Sequence, residues 1–117
     1  MNTEAYRRGL ELFNSGAFFD AHEVWEDVWR QSEGLDKQFL QGLIQVAVAF
    51  HHYSTGNVAG ARSVLERACR NLAECPEDFG DIKLHPLLDS LAVWRGALET
   101  GSPEMAPPKL EVTLEGQ

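Results

Sequence analysis

Basic residues are the first shortage: 10 Lys and Arg against 18 Asp and Glu leave a formal charge of −8 over 117 residues, and the cations do not cluster. Nucleic acids and anionic membrane surfaces select basic patches, so neither is expected as a partner. Cysteine is scarce as well. Cys69 and Cys75 are the only two, and six residues apart on one predicted helix they point to roughly opposite sides, which disfavours a mutual disulfide. No CxxC pair is available for zinc or redox chemistry. Long apolar runs are missing too: the stretch 43–50 is broken by Gln45 and is far too short to span a bilayer. Met1-Asn2-Thr3-Glu4 has none of the apolar core of a signal peptide. A reduced, cytoplasmic protein is the expectation. No glycine-rich phosphate loop appears, and no Ser or Cys stands in a recognisable nucleophile motif.

What is present is ordinary globular material, 44% hydrophobic and 24% charged, enough for one domain with a real core. Periodicity and punctuation mark five helices. The first covers about residues 3–14, with Tyr6, Leu10 and Phe13 on one face and Gly16 as its stop. The second covers about 17–31. The third begins at Asp36 as N-cap and runs to about 54. The fourth opens at Asn57, carries the seam Val58, Ala61, Leu65, Ala68 and Leu72, and stops at Cys75-Pro76. Residues 77–84 form a loop with room for a short helical turn. The fifth helix starts at Pro86 and presents Leu87, Leu91, Trp94 and Leu98 before Gly101.

A repeat runs through the first four helices. Gly16, Ala21, Val24, Glu26 and Arg30 return forty residues later as Gly56, Ala61, Val64, Glu66 and Arg70. Both halves read helix, glycine turn, helix, and the small Ala lets paired helices approach closely, as in tetratricopeptide-like hairpins. The expected fold is therefore all-α: a compact bundle of two pseudo-repeated αα-hairpins closed by a C-terminal helix. Residues 1–101 form one helical-bundle domain and 102–117 a Pro-rich C-terminal tail. Its end, 109–115, alternates Leu110, Val112 and Leu114 as a short extended arm, an amphipathic element through which homo-oligomerisation could occur.

Chemistry concentrates in Phe18-Phe19-Asp20-Ala21-His22-Glu23-Val24-Trp25-Glu26-Asp27-Val28-Trp29. Ala21, Val24, Trp25, Val28 and Trp29 make the apolar arc. At about 100° per residue, His22 and Glu26 fall between that arc and Phe19, half-buried among aromatics. Ionisable groups in such a place need a partner, a metal or a shifted pKa. The third helix is apolar around most of its circumference, and its one polar stripe is Gln38, Gln41, Gln45 and His52, within an arc of about 60°. Amides and imidazole without Glu suggest a shielded seam meeting His22 and Glu26. His51 lies about 100° from the stripe and outside it.

Three readings stay open. In one, His22 and Glu26, one turn apart, hold a divalent metal ion with Glu23 or His52 adding a third ligand; the spacing is that of His-Glu-x-x-His with Glu in place of the second His. In another, His22 bonds Glu26 and the glutamines bond both, fixing helix register; the repeat places Arg62 and Glu66 at the matching positions, an ordinary i,i+4 ion pair. In the third, the seam is a small polar pocket for an organic ligand or peptide, with Trp29 at its edge. Trp25, Trp29 and Trp94 are otherwise core residues, and His85 before Pro86 is a helix-start residue.

Phe19-Asp20-Ala21-His22-Glu23-Val24-Trp25-Glu26, Trp29-Arg30, Phe39-Leu40-Gln41-Gly42-Leu43-Ile44-Gln45, His52, Gly56-Asn57, Gly60-Ala61 and Leu65 together resemble the small all-helical bacterial and archaeal family called domain of unknown function 309. The resemblance covers the second to fourth helices and excludes the tail. It implies a helical bundle, and members are sometimes labelled predicted metal-dependent hydrolases. Carried over by position, the family's recurrent polar residues fall on His22, Glu23, Glu26, Gln41, Gln45 and His52. On that reading a divalent metal held by His22, Glu26 and His52 would activate water, with Glu23 as general base. The contrasting expectation is a non-catalytic binding or structural module in which the seam is a hydrogen-bonded core.

Overall fold

The computed structural model describes residues 1–101 and 105–113. Five helices stand in order: α1 (Thr3–Asn14), α2 (Phe18–Arg30), α3 (Gly34–Ser54), α4 (Val58–Ala73) and α5 (Leu84–Glu99). A 3₁₀ turn, Phe79–Asp81, separates the last two. Asn2 caps α1 by accepting from the Ala5 N–H at 3.1 Å, and Asn57 caps α4 by accepting from the Gly60 N–H at 2.9 Å. Two helix starts differ from the sequence expectation. α3 begins at Gly34, so Asp36 sits in its first turn rather than at its cap. α5 begins at Leu84, ahead of Pro86, because Leu84 is fully buried and because Glu77 accepts from the His85 N–H at 2.9 Å.

The repeat is real in three dimensions. Gly16 and Gly56 take φ of +90° and +88°, the left-handed conformation that a helix-ending glycine adopts without a Cβ penalty. At the first turn the Gly16 N–H donates to Phe13 O at 2.9 Å and the Ala17 N–H to Leu12 O at 2.9 Å. At the second the Gly56 N–H donates to Tyr53 O at 3.0 Å and the Asn57 N–H to His52 O at 2.8 Å. Even the hydroxyls match: Ser15 donates to Leu12 O and Thr55 to His52 O. The same local chemistry, forty residues apart, builds two αα-hairpins in succession.

α3 is the axis. Phe39, Leu40, Leu43, Ile44, Val46, Ala47, Ala49 and Phe50 are all buried, and the other helices enclose it. Aromatic rings carry the core across the layers. Phe13 of α1 meets Trp25 of α2 at 6.2 Å and Phe50 of α3 at 6.2 Å between centroids, and Phe50 meets Trp94 of α5 edge-on at 5.0 Å. α1 and α2 approach closely at Gly9, where the Trp25 indole lies directly over the missing side chain and donates its N–H to Tyr6 O at 3.1 Å. Burial pushes the Tyr6 phenol well above its ordinary value, and its hydroxyl donates to Gly80 O at 2.7 Å.

Residues 105–113 lie against the bundle. Leu110 is buried, and the Asn14 side chain brackets its peptide group, accepting from the Leu110 N–H at 2.8 Å and donating to Leu110 O at 3.1 Å. Ile82 and Val112 form an isolated antiparallel bridge. The extended arm expected over 109–115 is thus extended across its described part; Leu114 and Glu115, like residues 102–104 of the Pro-rich stretch, lie outside the described residues. Among the described residues no helix is long and apolar enough to cross a membrane.

A Cβ at position 9 would overlap the Trp25 indole, so Gly9→Ala should cost about 1–3 kcal/mol of unfolding free energy through overpacking, read as a lower urea midpoint. Glu77 gives a pH signature. The His85 N–H, then the His85 charge, hold its carboxyl below the ordinary 4.5. A carboxyl lowered on folding stabilises above its unfolded value and loses that contribution as pH falls through its folded value. The Tm advantage of wild type over Glu77→Gln should therefore be full at neutral pH and fade below the ordinary glutamate range.

Candidate functional site

The expected seam is not one site; the structure divides it among four places. Gln45 turns to α4, accepting from the Asn71 side-chain N–H at 2.8 Å, and Gln38 donates to Asn71 O at 3.2 Å and to Glu74 at 3.0 Å. Gln41 is half-buried on the same stripe. Small Gly42, packed against Leu72, lets α4 come close enough for these bonds. Gln38 and Gln45 thus pin the register between α3 and α4. His52 lies at the second glycine turn, its Nδ1 3.4 Å from the Asn57 side-chain nitrogen. Trp29 sits at the other end of α2, with the Lys37 ammonium 4.2 Å from its ring centroid.

His22 and Glu26 do stay together. His22 Nε2 lies 3.5 Å from Glu26 Oε2, and Nδ1 is 3.0 Å from Phe19 O. One ring nitrogen thus lies against a backbone carbonyl and the other against the carboxylate. Glu26 is also held by Arg30 at 3.3 Å, and Arg30 by Asp27 at 2.6 Å. The repeat explains this arrangement: forty residues on, Glu66 pairs with Arg70 at 3.2 Å. The sequence had paired Glu66 with Arg62; the structure gives it Arg70 and, at 3.8 Å, Arg95. Glu26 therefore repeats a structural ion pair, and His22 is what the first hairpin adds to it.

The residue that joins His22 is His51, which the angular argument had set aside. The exposed Phe19 ring stands between them, 5.2 Å from His22 and 5.4 Å from His51 between centroids. Phe18, Phe19, His22, Val48 and His51 line a cleft of about 140 Å³ between α2 and α3. α2 and α4 pack on different faces of α3, so the glutamine stripe that serves α4 could not also serve α2. The Val48/His51 pair, one turn apart and away from the stripe, was the legible signal for the α2 side. Glu23 is exposed on α2, beside Asp20 and Asp27.

The described donor set does not make a zinc site. Structural and catalytic zinc sites take three or more protein ligands, and among the described residues no three His, Cys, Asp or Glu side chains gather into such a group. His22 and Glu26 are two, with Glu26 engaged by Arg30; His52 and Glu23 do not complete them.

A family model described as a domain of unknown function, DUF309, matches residues 6–64, from α1 into α4. Over 115 residues the chain is 31% identical to an uncharacterized protein of Aquifex aeolicus (strain VF5), an alignment covering 97% of this chain and 33% of that protein. Over 75 residues it is 34% identical to the uncharacterized protein YpuF of Bacillus subtilis (strain 168), covering 61% of this chain and 43% of that one. The chain thus spans a third and less than half, respectively, of these longer relatives.

If the amides are register pins, Gln45→Ala and Asn71→Ala should each destabilise. A double-mutant cycle by urea unfolding should return a coupling of about 0.5–1.5 kcal/mol, whereas Gln45 and His22 should prove additive.

Proposed function

The chain belongs to the domain of unknown function 309 family, and from that premise we propose that it acts as a non-catalytic helical binding module, docking an aromatic or branched apolar side chain of a partner protein in the α2–α3 cleft. The observation that carries this reading is Phe19. A large ring 48% exposed, wedged between two imidazoles at the mouth of an apolar cleft, is solvent contact that folding does not require. The volume sets the scale of the guest. At about 140 Å³ the cleft has room for one side chain, well below the ~300 Å³ or more that drug-sized ligands occupy. Charge sets its surroundings. Asp20 and Glu23 are exposed on α2, each next in sequence to a residue that lines the cleft (Phe19 and His22), which favours a guest flanked by Lys or Arg.

The hydrolase reading has less support, since among the described residues no third His, Cys, Asp or Glu side chain joins His22 and Glu26, and Glu26 is already paired with Arg30. A unit that makes up a third of one longer relative and 43% of another also suits a module serving other chain segments.

The test is a ¹⁵N NMR titration with N-acetyl-Phe-Lys-amide and N-acetyl-Phe-Glu-amide. The lysine peptide should give saturable shifts at Phe19, Val48 and His51 that weaken with salt and vanish in Phe19→Ala, and the glutamate peptide should bind less. Shifts absent from the cleft would sink the docking reading. A Tm raised by added zinc in metal-free wild type, and unmoved in His22→Ala, would favour the hydrolase instead.

A further inference from the structure

Residues 105–113 are held largely by their main chain. The helices pack chiefly through side chains, with single main-chain bonds such as Trp25 to Tyr6 O and Gln38 to Asn71 O, whereas this segment is gripped along its backbone. Trp94 donates its indole N–H to Ala106 O at 3.3 Å. Asn14 satisfies both the N–H and the carbonyl of Leu110, as a neighbouring β-strand would. The Lys83 N–H donates to Glu111 O at 2.9 Å, and the Thr113 N–H donates to Asp81 O at 2.7 Å. One side chain of the segment, Leu110, is buried, at 2% exposure. Two outlying polar contacts, from the Lys109 ammonium to Asn14 O and from the Thr113 hydroxyl to Asp78, are exposed.

Main-chain hydrogen bonds with a single pocketed side chain are how a sheet edge or groove recognises an extended peptide. The entry fits as well. Pro107 and Pro108 hold an extended backbone and have no N–H to leave unsatisfied where the segment crosses Phe13 and Phe18. None of the main-chain bonds depends on which side chains the segment carries. The recognised pattern reduces to an extended stretch with a proline pair and a leucine two residues after it.

We infer that the channel bounded by α1, α5 and the 81–83 loop is a binding groove for an extended peptide of that Pro-Pro-x-Leu pattern from a partner protein, and that residues 106–113 fill it in cis as a built-in competitor. The groove shares no hydrogen-bonding residue with the α2–α3 cleft and stands without that reading. A tethered competitor acts at high effective concentration, so the groove opens to a partner only when the arm lets go.

The test uses the full chain and a fluorescein-labelled peptide of residues 106–113, followed by anisotropy. Leu110→Ser removes the arm's one buried anchor and leaves the groove intact. That variant should bind the peptide at least about tenfold more tightly than wild type, because the tethered competitor is weakened. Adding Asn14→Ala should abolish the gain. A Leu110→Ser protein with native helicity that binds no peptide, or no more than wild type, overturns the inference. Should that variant fail to fold, amide hydrogen exchange on the wild type decides. The Lys83, Leu110 and Thr113 amides should exchange together and well before those of Leu43 and Ala47 in α3. Exchange of both sets in one global event makes the segment part of the core and defeats the proposal.

Discussion

A helix that is apolar on nearly every side can persist in water only if other elements enclose it, and α3 places that demand on the rest of the chain. Phe39, Leu40, Leu43, Val46, Ala47, Ala49 and Phe50 are buried along its central turns, and its exposed residues lie at its ends. The enclosure goes with small residues at the close approaches: Gly42 of α3 under Leu72, Gly9 under Trp25, and buried Ala21, Ala61 and Ala68. It also explains the amides. A polar side chain on a shielded helix needs a partner inside the protein, and Gln38 and Gln45 find theirs on α4 at Asn71. Polarity inside a helical core need not announce chemistry. Here it sets register.

Much of the architecture was legible because it rests on local rules. Hydrophobic period, Asn caps and helix-ending glycines act within a turn or two, and the forty-residue echo doubled the signal. The fold is accordingly the expected one, two hairpins and a closing helix. The helix start at Leu84 was missed because tertiary burial of that residue outweighs a helix-favouring proline two positions on, while α3 starts two residues ahead of Asp36 at an exposed turn. The site was legible only in part. Angular arithmetic on one helix tells which residues share a face but not which neighbour that face meets. The glutamine stripe was therefore assigned to α2 when it serves α4, and His51 was set aside although it meets Phe19.

The duplication separates architecture from whatever was added to it. Glu26–Arg30 and Glu66–Arg70 are the same ion pair twice over, as are the two glycine turns. Against that shared background the first hairpin carries Phe19 and His22 where the second carries Ala59 and Arg62. A bulky ring and an imidazole in place of a methyl group and a guanidinium are not needed to pack a hairpin, since the second does without them. The difference between the two copies thus points to the α2 surface with no appeal to any relative.

The bracket that Asn14 places on Leu110 joins positions 96 residues apart, whereas each helical hairpin closes over a glycine turn of a few residues. Loop-closure entropy makes near contacts form early and distant ones late. Time therefore enters the structure: residues 106–113 seat late in folding. Folding passes through an interval with the two hairpins formed and residues 106–113 not yet seated on α1 and α5. For that interval the molecule presents to its surroundings a face that the finished protein keeps to itself.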